Sequence, residues 1–497
     1  MKQHNTDRFT SRTTTRLTLF SGFLVVTAAL LIAATPATAA PPYKSVYIDN
    51  IPHVKQKPDF CGEACAEMVL TKLGKKMDQD FVFDASGLDP RLGRGCYTKE
   101  LYQALKKIGF KVGTGGYTVD ARTNRSAVAG MTAQFDAMHA DLVRGIPSII
   151  CMHYDDRPNT TEHFRLIIGY DAATDEVIYH EPAHADAANE RMKRDMLIKL
   201  WPLKYQRTKW TVIRLRLEPG RLIEGESSSS FTAADYAVHI HGLKKRLPHD
   251  KFHIVLQPPF VVVGDQSQTM VRRHATQTVQ WTVDRIKRQY FKKDPDEIID
   301  VWLFKDTESY EKHNLQLFSQ KPTTPYGYYS PTHNVLVMNI STGGGTLVHE
   351  IVHPFMASNF PACPAWFNEG LASLYEQSST RGGKIWGLTN WRLGGLQTAI
   401  TDRRVPSFKT LCSTTTEQFY NQDPGTNYSQ ARYLCYYLQE RGLLNEYYHQ
   451  FRANSQQDPT GYETLKRVLA AGREPLSDAD MATFKVRWEK YVASLRF

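Results

Sequence analysis

The stretch "GGGTLVHEIVHPFMASN", residues 343–359, sets His349 and His353 four apart, with Glu350 directly after the first. On an α-helix, residues four apart share one face, a turn from each other. Two imidazoles so placed can approach a single metal ion, and zinc suits neutral imidazole and carboxylate ligands. A catalytic zinc takes three protein ligands and leaves one position open, so a third ligand must come from elsewhere in the chain. Downstream runs "PAWFNEGLASLYE", where Glu369 lies sixteen residues after His353, room for a turn and the start of a second helix. The pattern therefore demands two helices whose faces converge. Glu350 can reach a water polarised by the metal and act as its general base. Pro354, directly after His353, lacks a backbone donor, so a kink or a short helix is expected just beyond the second histidine.

This combination resembles the gluzincin zinc metallopeptidases, and the resemblance spans roughly residues 250–380. It implies His349, His353 and Glu369 as zinc ligands and Glu350 as the base. It also implies an edge strand before the first helix that pairs with substrate backbone; "HNVLVMN" (333–339) fits that place, with "STGGG" as the following turn. Thermolysin-like members carry an aspartate four residues after the glutamate ligand, which orients a histidine. Ser373 stands there instead, so a different partner is required. Tyr428 and Tyr433 are candidates for stabilising an oxyanion, with ordinary core aromatics as the alternative for each.

A second constellation lies near the start of the chain. In "VKQKPDFCGEACAEMVL" (54–70), Gln56 precedes Cys61-Gly62 by five residues, and Cys61 opens a helical pattern. The helix dipole at an N-terminus favours thiolate, so a lowered Cys61 pKa is expected. The Gln56 amide and the Cys61 N–H can supply oxyanion donors. A thiolate needs an imidazole, and the imidazole an orienting acceptor. In "EHFRLIIGYDAATDEVIYHEP", His163 starts one strand and Glu181 ends the next, just before Pro182. Cys65, one turn on, is the competing nucleophile; otherwise it faces the core or pairs with Cys96.

These features resemble the papain-fold bacteriocin-processing (double-glycine leader) cysteine peptidases and their looser secreted relatives, over about residues 45–217. Glu181 departs from the aspartate or asparagine usual before that proline.

Organisation follows from composition along the chain. Lys2, Arg8, Arg12 and Arg16 precede an apolar run, Leu17 to Ala34, and then "TPATAA". That is a secretory signal peptide with an A-x-A-like cut, so residues 1–40 are expected to be removed. The mature chain then works outside the cytoplasm, secreted or periplasmic, with no stable membrane span. Residues 41–218 place helices before strands and read as the papain-like unit. The polar, serine-rich segment 219–248 reads as a linker. Residues 249–380 carry the gluzincin-like unit, and 381–497 are helical by pattern. The fold class is α+β throughout.

The net charge of +10 is spread thinly, with no basic run interleaved with aromatics, which argues against nucleic-acid binding. The expected partner is a peptide or protein substrate, the expected cofactor Zn2+, and the oligomeric state is left open. Seven cysteines, an odd number, leave at least one thiol unpaired in a monomer. The function expected is peptide-bond hydrolysis. Two alternatives use the same residues: a non-catalytic, peptide-binding N-terminal module, or a cell-wall peptide amidase or transpeptidase.

Overall fold

A computed structural model describes residues 43–158, 160–225, 231–322 and 324–497. The signal-peptide expectation, residues 1–40, lies outside the described residues. Among those described, no helix is long and apolar enough to cross a membrane.

The N-terminal unit is α+β, as its pattern of helices followed by strands predicts. Its antiparallel sheet runs in the order 115–120, 209–216, 148–153, 162–171, 176–180, 190–193, with 46–47 added beside 162–171. The helix Cys61–Lys72 packs on the strand Glu162–Asp171. Gly62 makes that contact possible, since a Cβ there would come within 2.4 Å of Leu101 and 3.2 Å of Phe164.

The second unit is built on a five-stranded mixed sheet, ordered 253–257, 260–264, 299–304, 335–339, 327–330. Its three central strands are parallel, and an antiparallel strand closes each side. The central strand "IDVWLF" is buried along its whole length, as a parallel strand covered on both faces must be. Side chains alternate across the pleat. Val261, Val263, Trp302 and Phe304 point to one core, shared with Tyr236, Ile240 and Tyr310. Phe260, Val262, Val301 and Leu303 point to the other, which holds the helix Gly345–Asn359.

That second core continues without a break from Val255 to Val492. Residues 249–380 and the helical tail 381–497 therefore share one apolar interior. The tail helix Pro424–Glu440 lies tightly on the helix Ala365–Leu374. Gly370 permits the close approach, since a Cβ there would sit 3.0 Å from the Ala431 carbonyl oxygen. The stretch "QTMVRRHATQTVQWTVDRIKRQYF" (268–291), whose pattern predicts a long amphipathic helix, is helical over Gln268–Gln289, with a π-type segment over 275–280.

Three expectations need correction. Residues 219–248 are not simply a flexible connector, because Ala233–Arg246 is a helix. It buries Ala234 and Ala237 in the N-terminal core and Tyr236, Ile240 and Leu243 in the second unit's core. It is tied to the N-terminal unit by the Ala234 N–H on Asp84 (3.0 Å) and by Lys244 on the Leu92 carbonyl (2.7 Å). Next, "HNVLVMN" is not the sheet edge. Val335–Asn339 is paired on both sides, and Gly327–Ser330 forms the edge because the chain doubles back through a hairpin. Finally, of the kink or short helix expected after His353, the short helix is not what forms: the helix runs through Pro354 to Asn359. The proline removes the hydrogen bond that its own nitrogen would have donated to the Glu350 carbonyl, and its ring crowds that carbonyl.

The start of this helix is pinned against another backbone. A Cβ on Gly345 would lie 2.3 Å from the Glu376 carbonyl oxygen, an overlap that only backbone movement can relieve. Gly345→Ala is therefore expected to lower stability by ~1–3 kcal/mol. Urea unfolding checks this, and an unchanged midpoint would remove the claimed backbone contact.

Candidate functional sites

Two clusters of chemistry-bearing side chains are assembled, one in each unit.

In the C-terminal cluster, His349 and His353 project from one face of their helix, and Glu369 enters from the helix Ala365–Leu374. One ligand atom from each lies within 4.8 Å of the others. His349 Nε2 is 3.2 Å from Glu369 Oε2, and His353 Nε2 is 3.9 Å from Glu369 Oε1. Both imidazoles thus aim Nε2 at the same point. Their Nδ1 atoms face outward from it. His353 Nδ1 meets Asn368 Oδ1 at 3.1 Å, so that nitrogen carries the proton and Nε2 is free as a donor. His349 Nδ1 approaches Glu376 Oε1 at 3.3 Å, within ion-pair range though not aligned as a hydrogen bond.

Glu369 Oε2 is buried and accepts no hydrogen bond. An orphaned buried oxygen beside the His349 imidazole, on a carboxylate that His353 also approaches, fits a bound cation, because without one its desolvation is poorly compensated. The donor set, two neutral imidazoles and a carboxylate, suits zinc. The other oxygen, Oε1, accepts from Tyr420 Oη at 2.6 Å. Burial raises Glu369, but His353, His349 and Tyr420 outweigh it and hold its carboxyl down at about 2.

Glu350 lies beside this group, its carboxylate 3.8 Å from His353 Nε2. Burial pushes its pKa up, and the backbone of Tyr329, in the edge strand, opposes that shift. The base candidate thus sits between the histidines and the sheet edge. Of the tyrosines singled out by sequence, Tyr433 is fully buried and donates to the Asn390 carbonyl, so it is a core residue. Tyr428 is near enough for Glu369 to raise its pKa. Tyr420, Asn368 and Glu376 were not legible as site residues. Asn368 and Glu376 lie inside or beside the motif, but nothing in its spacing distinguishes them from surface polar positions.

In the N-terminal cluster, Glu181, though longer than the usual aspartate or asparagine, reaches His163. Its Oε1 meets His163 Nε2 at 2.5 Å and accepts from the Ala183 N–H at 3.0 Å. Its Oε2 accepts from Arg165 Nε at 2.7 Å. Arg165 is two residues from His163 on the same strand face, a partner that period-two alternation could have suggested. Burial raises Glu181, but His163 and Arg165 outweigh it and keep the carboxyl below its ordinary range. Gln56 is stitched to the same turn: its backbone N–H donates to the Pro182 carbonyl at 2.8 Å. Its side-chain oxygen is buried without a partner.

Cys61 opens its helix as expected and lines a cavity of about 330 Å³ with Cys96, Cys151, Phe164 and Ile213, rimmed by exposed Tyr97 and Tyr205. Its protonation differs from expectation. Burial pushes the thiol up to about 12, and Glu63 and Asp59 add to the rise. Desolvation and like charge here exceed what a helix N-terminus contributes. Among the described residues no hydrogen bond joins Cys61 to His163, although the backbone of the adjacent Phe164 acts on the thiol. Glu63 is itself fully buried, accepts from the Cys96 N–H at 2.6 Å, and is raised to about 7 by burial. Cys65 is buried in the core, and neither it nor Cys96 forms a disulfide; all seven cysteines are free.

Comparison with known proteins bears on this unit. Residues 48–210 match the model of the Peptidase_C39 like family. The N-terminal unit is thus similar to a cysteine-peptidase-type hydrolase with a papain-like fold. None of the curated proteins compared with the chain matches it.

The thiolate is the reactive form, so a raised pKa slows alkylation near neutrality. Cys61 in the folded chain should react with iodoacetamide at pH 7 at least about tenfold slower than in the urea-unfolded chain. Its rate should still climb between pH 8.5 and 10. Peptide mapping by mass spectrometry reads both; a rate already flat below pH 7 would show an activated thiolate instead.

Proposed function

We propose that the chain is a two-site peptidase that works outside the cytoplasm after loss of residues 1–40. The domain division is 41–218 for the cysteine-peptidase-like unit, 249–380 for a gluzincin-like zinc unit, and 381–497 for its helical completion. The observation that carries the zinc site is the convergence of His349, His353 and Glu369 within 4.8 Å around an orphaned carboxylate oxygen.

In this proposal His349 Nε2, His353 Nε2 and Glu369 hold the metal, which when bound polarises a water and the scissile carbonyl. Glu350 takes the proton of the attacking water and passes it to the leaving amine. The edge strand Gly327–Ser330 presents unpaired backbone groups to an extended peptide beside Glu350. Tyr420 holds Glu369 in place through its 2.6 Å hydrogen bond.

At the N-terminal site, His163, oriented by Glu181 and Arg165, would take the Cys61 proton, and the thiolate would attack a peptide carbonyl. One observation favours binding without cleavage in this domain: the Cys61 thiol is raised and has no hydrogen bond to His163 among the described residues. In that case the cavity beside Cys61 holds a peptide side chain, and hydrolysis belongs to the metal site.

The purified chain is expected to hold one zinc. Glu350→Gln should keep the metal and lose ~10²–10⁴-fold in peptide hydrolysis, while His353→Ala should lose both. Elemental analysis beside a peptide-cleavage assay reads the pair of outcomes. A chain without zinc, or a fully active Glu350→Gln, overturns the metal-site proposal. Cys61→Ala separates the two sites: cleavage that survives it belongs to the metal site alone.

A further inference from the structure

Glu376 is the carboxylate that an orienting partner for His349 would need, and it does not stand where the sequence pattern looks for one. Four residues after Glu369 comes Ser373, fully buried, with its hydroxyl unpartnered. Seven residues after Glu369, past the helix end at Leu374, comes Glu376. Its Oε1 lies 3.3 Å from His349 Nδ1, on the side of the ring opposite Glu369.

Glu376 is held by more than this contact. Arg392 forks onto it, Nη2 to Oε1 at 2.8 Å and Nε to Oε2 at 3.0 Å. Asn390 Nδ2 donates to Oε2 at 2.9 Å. A bidentate guanidinium fixes both position and plane of a carboxylate. The Glu376 backbone is held as well, because its carbonyl packs against Gly345 at the start of the helix that carries His349. The carboxylate and the histidine are thus positioned by one piece of packing. Arg392 comes from the helix Arg392–Thr401, in the helical tail, beyond the two-helix motif.

We infer that Glu376, clamped by Arg392 and Asn390, is the positioning residue that fixes His349 for metal binding. Its negative charge, 3.3 Å from Nδ1, favours the proton on that nitrogen, which directs Nε2 and its lone pair toward the point shared with His353 and Glu369. A ligating histidine whose outer nitrogen donates to a carboxylate is the more basic and better-oriented ligand, and removing such a partner lowers metal affinity by ~10–100-fold. The helical tail therefore takes part in the metal site through Arg392. This inference rests on the proposed zinc site.

The test is zinc affinity by competition with a chromophoric chelator, together with the visible absorption of the cobalt-substituted protein. Glu376→Gln keeps the size of the side chain and removes its charge. It is expected to weaken zinc binding ~10–100-fold and to change the cobalt spectrum, while circular dichroism stays that of the wild type. Adding Ser373→Asp to that variant supplies a carboxylate one turn after Glu369 and is expected to recover part of the affinity. If Glu376→Gln does not fold, Arg392→Gln serves: it leaves the carboxylate but frees it, and should weaken zinc in the same direction. A folded Glu376→Gln with wild-type zinc affinity and an unchanged cobalt spectrum overturns the assignment while leaving the three-ligand site standing. A wild type that binds no zinc overturns the site itself.

Discussion

Charge buried in an apolar interior must be answered by other charge or by directed hydrogen bonds, and the C-terminal half is arranged around that requirement. His349 and Glu369 are almost fully buried, and Glu350, His353 and Glu376 are nearly so. They sit within a core that runs without interruption from the sheet to the last helix. Glu369 is answered by two imidazoles and a tyrosine, and Glu376 by an arginine fork and an asparagine. Among the polar atoms left without a hydrogen bond is Glu369 Oε2, 3.2 Å from His349 Nε2 within the His349–His353–Glu369 cluster. Removing any one member leaves another charge uncompensated in low dielectric, so folding and the site are bound to the same contacts.

The N-terminal cluster balances differently. Its His163–Glu181 pair is well satisfied: Glu181 accepts from His163, Arg165 and a backbone N–H at once. Its thiol is not provided for in the same way, and burial with two nearby acids pushes the Cys61 thiol up. At a helix start the dipole lowers a thiol's pKa within one turn, while desolvation raises it wherever water is excluded, so the two act against each other on Cys61.

Much of this was legible along the chain because it depends on short-range periodicity. The four-residue spacing of His349 and His353 puts them on one face of any helix, and "NEGLA" at the right distance marks a second helix. The apolar runs "FRLIIGYD" and "IDVWLF" mark a strand each, both buried along nearly their whole length. The strand order was not legible: "HNVLVMN" reads as readily as an edge as an interior strand, and only the hairpin at 327–339 decides. Pro354 marks a cost to the helix that the sequence shows, but only the packing on both sides decides that the helix continues through it to Asn359. The helix at 233–246 escaped notice because its apolar residues serve two cores, so neither face shows a full stripe.

The sequence alone therefore determined which residue types could act and which of them share a helix face, since both follow from local geometry. The tertiary structure decided the partners. Glu376 reaches His349, Tyr420 reaches Glu369, and Arg392 reaches Glu376 across 16 to 51 residues of intervening chain, a separation no local period encodes. It also decided protonation. Whether a thiol or carboxyl is charged depends on how much water its neighbours exclude, and that is a property of packing in three dimensions.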